Sequence, residues 1–344
     1  MTIDRRTFVA AAGGALLSPA LFAQPARFPE LYAAAKKEGE LTWYVAHYRT
    51  STCESIGNLF SEVYPGIKVN VVRASGQVIY QRLSQDIKVK AHNCDVFSTS
   101  DQSHNLDLRK RNMLVQYLPK TLAECVPDVQ KASDPEHYFT ATDASLLLLI
   151  SSTKLPEAER PKKWLDLVDP KWKGQVAVGH PGYSGSMGAW CVKMQEMYGW
   201  EFFEKLAKNK PHVSRSLADP PTHIISGERM VGLGPGGMTA DMSARKLPIV
   251  PIIPAEGAQL GFGPTALIAG SPHPNAAKLF LEFQLSKPVG EIIAGLYGVP
   301  IRKDVEPKPE SWAAGSVKGF RATAQEVDAH LPELVDKWRD LFGV

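Results

Sequence analysis

Apolar and polar positions follow one another in blocks whose period changes from helical to extended and back. Pro29 to Glu38 carries Leu31, Ala34 and Ala35 on one face and is stopped by Gly39, the pattern of a short helix. Leu41 to Ala46 has the length and apolar character of a buried strand. Beyond a polar loop, His47 to Thr52, the stretch Cys53 to Tyr64 sets Ile56, Leu59, Phe60 and Val63 at helical spacing and ends at Pro65-Gly66. Ile67 to Val72 predicts a second strand. Val78 to Lys90 predicts a helix on Val78, Leu83 and Ile87, and Asp95 to Phe97 opens a third strand that runs into Ser98-Thr99-Ser100-Asp101. Strand, helix, strand, helix, strand predicts a parallel sheet covered by helices. In such a sheet ligands are held by the loops that leave the carboxyl ends of the strands.

A second α/β unit follows. Ser145 to Ile150 has the length of a buried strand, and Gln175 to Gly179 predicts another. Helices are expected from about Ser186 to Tyr198 and from Asp219 to Gly227, the latter opened by Pro220-Pro221. Val231 to Leu233 is a short strand, with Gly234-Pro235-Gly236-Gly237 as the loop behind it. No internal repeat of fixed period is present.

The start of the chain changes this picture. Met1 to Ala26 is a short polar beginning with Arg5 and Arg6, an apolar run from Phe8 to Phe22 and small residues around Ala23, which is the layout of an export signal with cleavage after Ala23. Asp4-Arg5-Arg6-Thr7-Phe8-Val9 resembles a twin-arginine signal, with a general secretory signal as the alternative. The run is too short and too interrupted by Gly13, Gly14 and Pro19 to span a bilayer, and no later segment is long and apolar enough. Loss of residues 1–23 takes the formal charge from +3 to +2. So balanced a chain, without basic runs, is expected to bind neither nucleic acid nor a membrane surface and to insert in no membrane. Cys53, Cys94, Cys125 and Cys191 have no CxxC spacing and no histidine pairing, so neither a metal site nor a cofactor is expected. In an oxidising compartment one disulfide is conceivable, and Cys94 with Cys125 is the candidate.

Several pieces in order carry a resemblance: Glu38-Gly39-Glu40-Leu41, Phe60-Ser61-Glu62, Tyr64-Pro65-Gly66-Ile67-Lys68-Val69, Cys94-Asp95-Val96, Trp164-Leu165-Asp166-Leu167, Asp169-Pro170-Lys171-Trp172-Lys173-Gly174, Ser226-Gly227-Glu228 and Pro272-His273-Pro274-Asn275-Ala276-Ala277-Lys278-Leu279-Phe280. Each is common alone; together the chain resembles bacterial extracellular solute-binding proteins of the ferric-ion-binding type over nearly its whole mature length. The resemblance implies the α/β, two-lobe type II periplasmic binding fold, each lobe a mixed sheet flanked by helices. The lobes would be joined by crossing strands and would close on a solute. The outward crossing is expected near Phe139 to Ala144 and the return near Leu260 to Thr265. Lobe one is then 27–140 with 265–302, and lobe two 141–264 with 303–344.

The same resemblance implies a periplasmic monomer that hands a small-molecule solute to an ABC transporter permease. It places the solute among the loops that follow the first, Asp95, Gln175 and Val231 strands. The candidates there are His47, Tyr48, Arg49, Ser51 and Thr52; Ser98, Ser100 and Asp101; Tyr183, Ser184 and Ser186; Gly236 and Gly237; and Arg215, ahead of the Asp219 helix. Several precede helices, where free N–H groups and the helix dipole favour an anion, although Ser51, Ser100 and Ser184 equally suit simple helix capping. Arginine adds a two-pronged donor for a carboxylate or oxyanion.

Ferric members of the family use adjacent tyrosines near the strand corresponding to Val231 to Leu233, where this sequence has Gly234-Pro235-Gly236-Gly237-Met238. Hard Fe(III) wants anionic oxygen ligands, so the expectation is a small organic or inorganic anion. The sequence carries no nucleophile elbow, metal-ligand cluster or dinucleotide fingerprint, which argues for binding without chemistry. The alternatives are a ferric-ion or metal-complex binder, a sensory binding protein for a receptor kinase, and an exported enzyme on the same scaffold.

Overall fold

The computed structural model describes residues 27–308 and 317–344; the segment expected to be an export signal lies outside them. Secondary structure begins with α1 (Pro29–Glu38), β1 (Glu40–Val45), α2 (Thr50–Val63), β2 (Lys68–Arg73), α3 (Gly76–Lys88), β3 (Val96–Ser98), α4 (Gln102–Lys110), β4 (Leu114–Val115) and α5 (Pro127–Ala132). It continues with β5 (Phe139–Ser152), β6 (Val176–Gly179), α6 (Gly185–Tyr198), α7 (Glu201–Lys208), β7 (His212–Ser214), α8 (Asp219–Ser226), β8 (Val231–Pro235), α9 (Gly236–Ala244), β9 (Ile249–Ile252) and β10 (Ala258–Ile268). The last elements are α10 (Pro274–Gln284), α11 (Lys287–Gly295), β11 (Gly319–Phe320) and α12 (Ala324–Phe342).

Side-chain alternation along β1 explains the first half. Leu41, Trp43 and Val45 point to one face, where they pack with Ile56 and Phe60 of α2, Phe280 and Phe283 of α10, and Val289 and Ile293 of α11. Tyr44 points to the other face, with Phe97, with Ile79 and Leu83 of α3 and with Leu108 of α4. A strand covered on both faces has no reason to alternate apolar with polar, so it reads as a continuous apolar run. The parallel pairings of β1 with β2 and with β3 are those expected of the strand-helix alternation.

β5 is the longest strand and does more than the expected six-residue core strand. Its beginning pairs with β10 next to β3, and its end pairs with β8 and β9. The segment expected to be a crossing, Phe139 to Ala144, and the segment expected to be a core strand, Ser145 to Ile150, are one unbroken element. β10 runs antiparallel beside it, so the path β2-β1-β3-β10-β5-β8-β6-β7 links both halves of the molecule through this central pair. In the second half, Leu147 and Leu149 of β5 join Val176, Val178, Trp164, Trp190, Phe202, Phe203 and Trp338 in one core, while Leu146, Leu148 and Ile150 face another with Ile224, Ile249 and Ala258. That last core also holds Leu285, Val299 and Ile301, and so spans the junction. α12 packs on α6 and reaches α4.

The glycine segment after Leu233 is not a loop. Gly234 and Pro235 end β8, and Gly236 and Gly237 begin α9. All four cysteines are free and buried. The candidate Cys94–Cys125 disulfide is absent: Cys94 lies in the core beneath α3 and Cys125 in the junction core, each thiol directed at a nearby carbonyl.

Candidate functional site

A cavity of about 320 Å³ opens where the two halves meet, a size suited to a small solute. Four helices begin at it: α2 after Arg49, α3 after Ser75, α6 after Ser184 and α9 after Pro235. No side chain caps α2, α3 or α9. α6 is capped by Ser184, whose hydroxyl accepts from the Met187 amide at 3.5 Å. First-turn amides lack intrahelical partners and carry the positive end of the helix dipole, so the cavity is walled by donors. Each helix starts there because it follows a strand whose carboxyl end reaches this edge of the sheet, the arrangement that puts ligands at such edges.

Three guanidinium groups add positive charge. Arg49 is largely exposed and lies 3.9 Å from Asp241, a residue of α9 in the other half. Arg73 donates from Nε to the Tyr48 carbonyl at 3.1 Å. Arg215 sits over the ring of Tyr183, 5.8 Å from its centroid.

One corner of the cavity differs in chemistry. Asp143 on β5, almost fully buried, lines it beside His47 and Tyr48. The Tyr48 hydroxyl donates to the Thr142 carbonyl at 3.1 Å and lies against the Asp143 carboxyl. His47 Nδ1 is 3.3 Å from the Thr99 carbonyl. A carbonyl only accepts, so Nδ1 carries the proton and Nε2 is an acceptor, buried without a partner. Burial raises the Asp143 pKa to about 7, tempered by the Tyr48 hydrogen bond and the Ala144 amide, and lowers that of His47 to about 4. Burial likewise holds the Tyr48 phenol well above its ordinary range. Gly263 of β10 makes the corner fit together: a Cβ there would lie 2.6 Å from His47 Nδ1 and 3.1 Å from the Asp143 Cβ.

The halves touch at the cavity's edge. Gly185 opens α6 so close to the loop after β3 that a Cβ would lie 2.0 Å from the Ser100 carbonyl oxygen and 2.8 Å from the Asp101 Cα. Nothing but glycine fits this approach without parting the halves.

Of the residues singled out from the sequence, His47, Tyr48, Arg49, Thr52, Ser100, Tyr183, Ser184, Ser186, Arg215, Gly236 and Gly237 line the cavity. Three do not. Ser51 faces solvent on the first turn of α2, its carbonyl accepting from Ser55. Asp101 caps α4, accepting from the Ser103 amide at 2.9 Å and hydroxyl at 2.7 Å, and faces a second cavity of about 360 Å³ bordered by Arg109 and Arg321. Ser98 ends β3, where its hydroxyl accepts from Trp43 Nε1 and meets Thr265 Oγ1. Sequence reasoning missed Arg73, Ser75, Gly76, Asp143, Ser145, Ser216 and Phe262. Arg73, Ser75 and Gly76 follow the second strand by the same strand-loop-helix logic that found the others. Asp143 has no local signal, because its neighbours are simply a strand.

Among the described residues no group of three or more His, Cys, Asp or Glu is placed to hold a metal ion, and no helix is long and apolar enough to cross a membrane.

Comparison with known proteins sets this geometry in context. Residues 93–325 match the family model described as bacterial extracellular solute-binding protein. A Salmonella typhimurium protein provisionally named as a 2-aminoethylphosphonate-binding periplasmic protein is 23% identical over 88% of this chain and 88% of its own length. The periplasmic binding protein AfuA of Actinobacillus pleuropneumoniae, solved with fructose-6-phosphate, superposes with a TM-score of 0.80 at 20% identity, covering 89% of this chain and 99% of that one. Iron-bound HitA of Pseudomonas aeruginosa gives 0.75 at 20% identity, covering 88% and 99%. These likenesses establish the two-lobe type II periplasmic binding fold.

Proposed function

This chain belongs to the bacterial extracellular solute-binding proteins, and on that premise we propose that it captures a small anionic solute in the cleft between its lobes and delivers it, as a periplasmic monomer, to the permease of an ABC importer. The observation that carries the anion is the convergence of four helix starts on one cavity, three of them uncapped by any side chain, with Arg49, Arg73 and Arg215 beside them. A phosphate, phosphonate or carboxylate would accept from those amides and arginines at once. Relatives named or solved with a phosphonate and a sugar phosphate agree with this reading.

An iron site is less well supplied. The β8–α9 junction offers Pro235, Gly236 and Gly237 instead of phenols, and Tyr48 is held in its neutral form by burial. Export by the twin-arginine route, lobe one as 27–140 with 265–302 and lobe two as 141–264 with 303–344 are parts of the same proposal. In favour of this division, two cores draw only on the first set of residues and one only on the second.

Thermal-shift screening of phosphonates, phosphates, carboxylates, sugars, amines and Fe(III), followed by calorimetry on the best ligand, tests the reading. An anion is the expected hit. Arg215→Ala is expected to weaken it about tenfold or more, since a hydrogen bond to a charged group contributes about 1.5 to 3 kcal/mol. Stabilisation by neutral sugars or bare iron alone would overturn the proposal.

A further inference from the structure

The cavity that collects donors on most of its wall collects acceptors at one corner. Asp143 is a carboxylate with 8% of its surface exposed. Among the groups that act on it there is no cation; only the Tyr48 hydroxyl and the Ala144 amide favour its charged form. His47 presents a buried acceptor nitrogen with no partner at all. The charged and titratable groups packed near this corner are His47 and Tyr48 from the loop between β1 and α2, Cys53 from α2, and Arg73 from β2, whose Nε is engaged by the Tyr48 carbonyl. β10 contributes Gly263, which brings no side chain.

A simple anion in this cavity would satisfy the helix starts but leave His47 Nε2 without a donor and Asp143 with only the Tyr48 hydroxyl and the Ala144 amide. A buried acceptor left unsatisfied is costly, and a buried carboxylate more so. A ligand that is anionic at one end and donates at the other satisfies both regions. Resting on the anion reading above, we propose that Asp143, with His47 and Tyr48, is a second subsite of the cleft that receives a protonated amine, so that the solute is a small zwitterion with its anionic group and its ammonium joined by a short chain. Burial raises the Asp143 pKa to about 7 in the empty protein, and an ammonium beside it would draw it to its charged form.

Matched ligands test this on the unmodified protein. Calorimetry compares aminomethyl-, 2-aminoethyl- and 3-aminopropylphosphonate with the methyl, ethyl and propyl compounds, and 2-hydroxyethylphosphonate with its amine counterpart. At least one amine is expected to bind at least tenfold tighter than its alkyl and hydroxyl partners. In Asp143→Asn that advantage is expected to vanish. Equal affinity of amine and alkyl compounds, a hydroxyl that serves as well as the amine, or an amine advantage that survives Asp143→Asn overturns the subsite and leaves the anion reading standing. Failure of every phosphonate, phosphate and carboxylate to bind overturns the anion reading, and the subsite falls with it.

Discussion

Glu282 and Asp143 are both buried carboxylates, yet they live under opposite terms. Glu282, on α10, accepts from the Tyr117 hydroxyl and Lys120 amide on one oxygen and from the Thr121 amide and hydroxyl on the other, at 2.5 to 2.9 Å. Glu38 does a similar service at the start of α10, accepting from the Asn275 and Ala276 amides. These carboxylates have their acceptor capacity filled by the protein and hold distant segments together. Asp143 faces a cavity, and apart from the Ala144 amide only the Tyr48 hydroxyl, whose proton is directed at the Thr142 carbonyl, lies against it. The difference teaches that burial alone does not mark a functional acid. What sets Asp143 apart is acceptor capacity left open beside a cavity.

Three changes would break or sharpen that contrast. The largest is Glu282→Gln, which turns two acceptor positions into a mixed pair and leaves buried donors of Lys120 or Thr121 without partners. It should lower the unfolding free energy by about 3 kcal/mol, measured by urea denaturation, and leave ligand affinity in the surviving folded protein unchanged. Asp143→Asn should instead act on amine affinity without a large loss of stability, and equal behaviour of the two variants would erase the distinction.

Next in size is Gly185→Ala. Its Cβ would meet the Ser100 carbonyl at 2.0 Å, so the two halves could not approach as they do. The expectation is a loss of at least tenfold in affinity by calorimetry with little change in melting temperature, since the clash lies between halves and not within a core. Retention of full affinity would show that this contact is not needed for binding.

The smallest effect is in pH. Asp143 has a folded pKa near 7, raised from 3.8, so it costs stability progressively as pH rises from about 4 to 7. His47 has a folded pKa near 4, lowered from 6.5, so it restores stability as pH rises over nearly the same window. The two legs oppose, and together they contribute only a shallow slope. Asp143→Asn removes the falling leg. The empty variant should therefore gain stability relative to the parent as pH rises from 4 to 7, read as a widening difference in melting temperature. A difference that stays constant with pH would mean that the Asp143 carboxyl ionises normally in the folded protein.

Much of this was legible beforehand because it is local. The helices Pro29–Glu38 and Asp219–Ser226 are announced by a proline at the start and a glycine just past the end. β1 through β3 show as apolar runs between turn residues. The polar residues at strand ends, His47, Arg49, Tyr183 and Arg215, were assigned to a cleft through the family resemblance, which agrees with strand-to-helix connections in a parallel sheet gathering at one edge. Asp101 and Ser51 were misjudged for the same reason: a polar residue before a helix looks alike whether it caps the helix or meets a ligand. The Cys94–Cys125 pairing failed because nothing in their spacing reveals that the two thiols lie in different cores.

By itself the sequence determined the order of helices and strands, the two α/β units, the near-neutral charge and the set of loops from which a site could be built. All of these follow from interactions among residues a few positions apart. Only the tertiary structure decided which loop residues face the cavity, that Gly185 must be bare, and that Asp143 shares a corner with His47. These depend on the register of β5 against β10, pinned in part where Thr142 meets Thr265 across 123 residues of chain. Such pairing is selected by the packing of the whole sheet, and a window of neighbouring residues carries no trace of it.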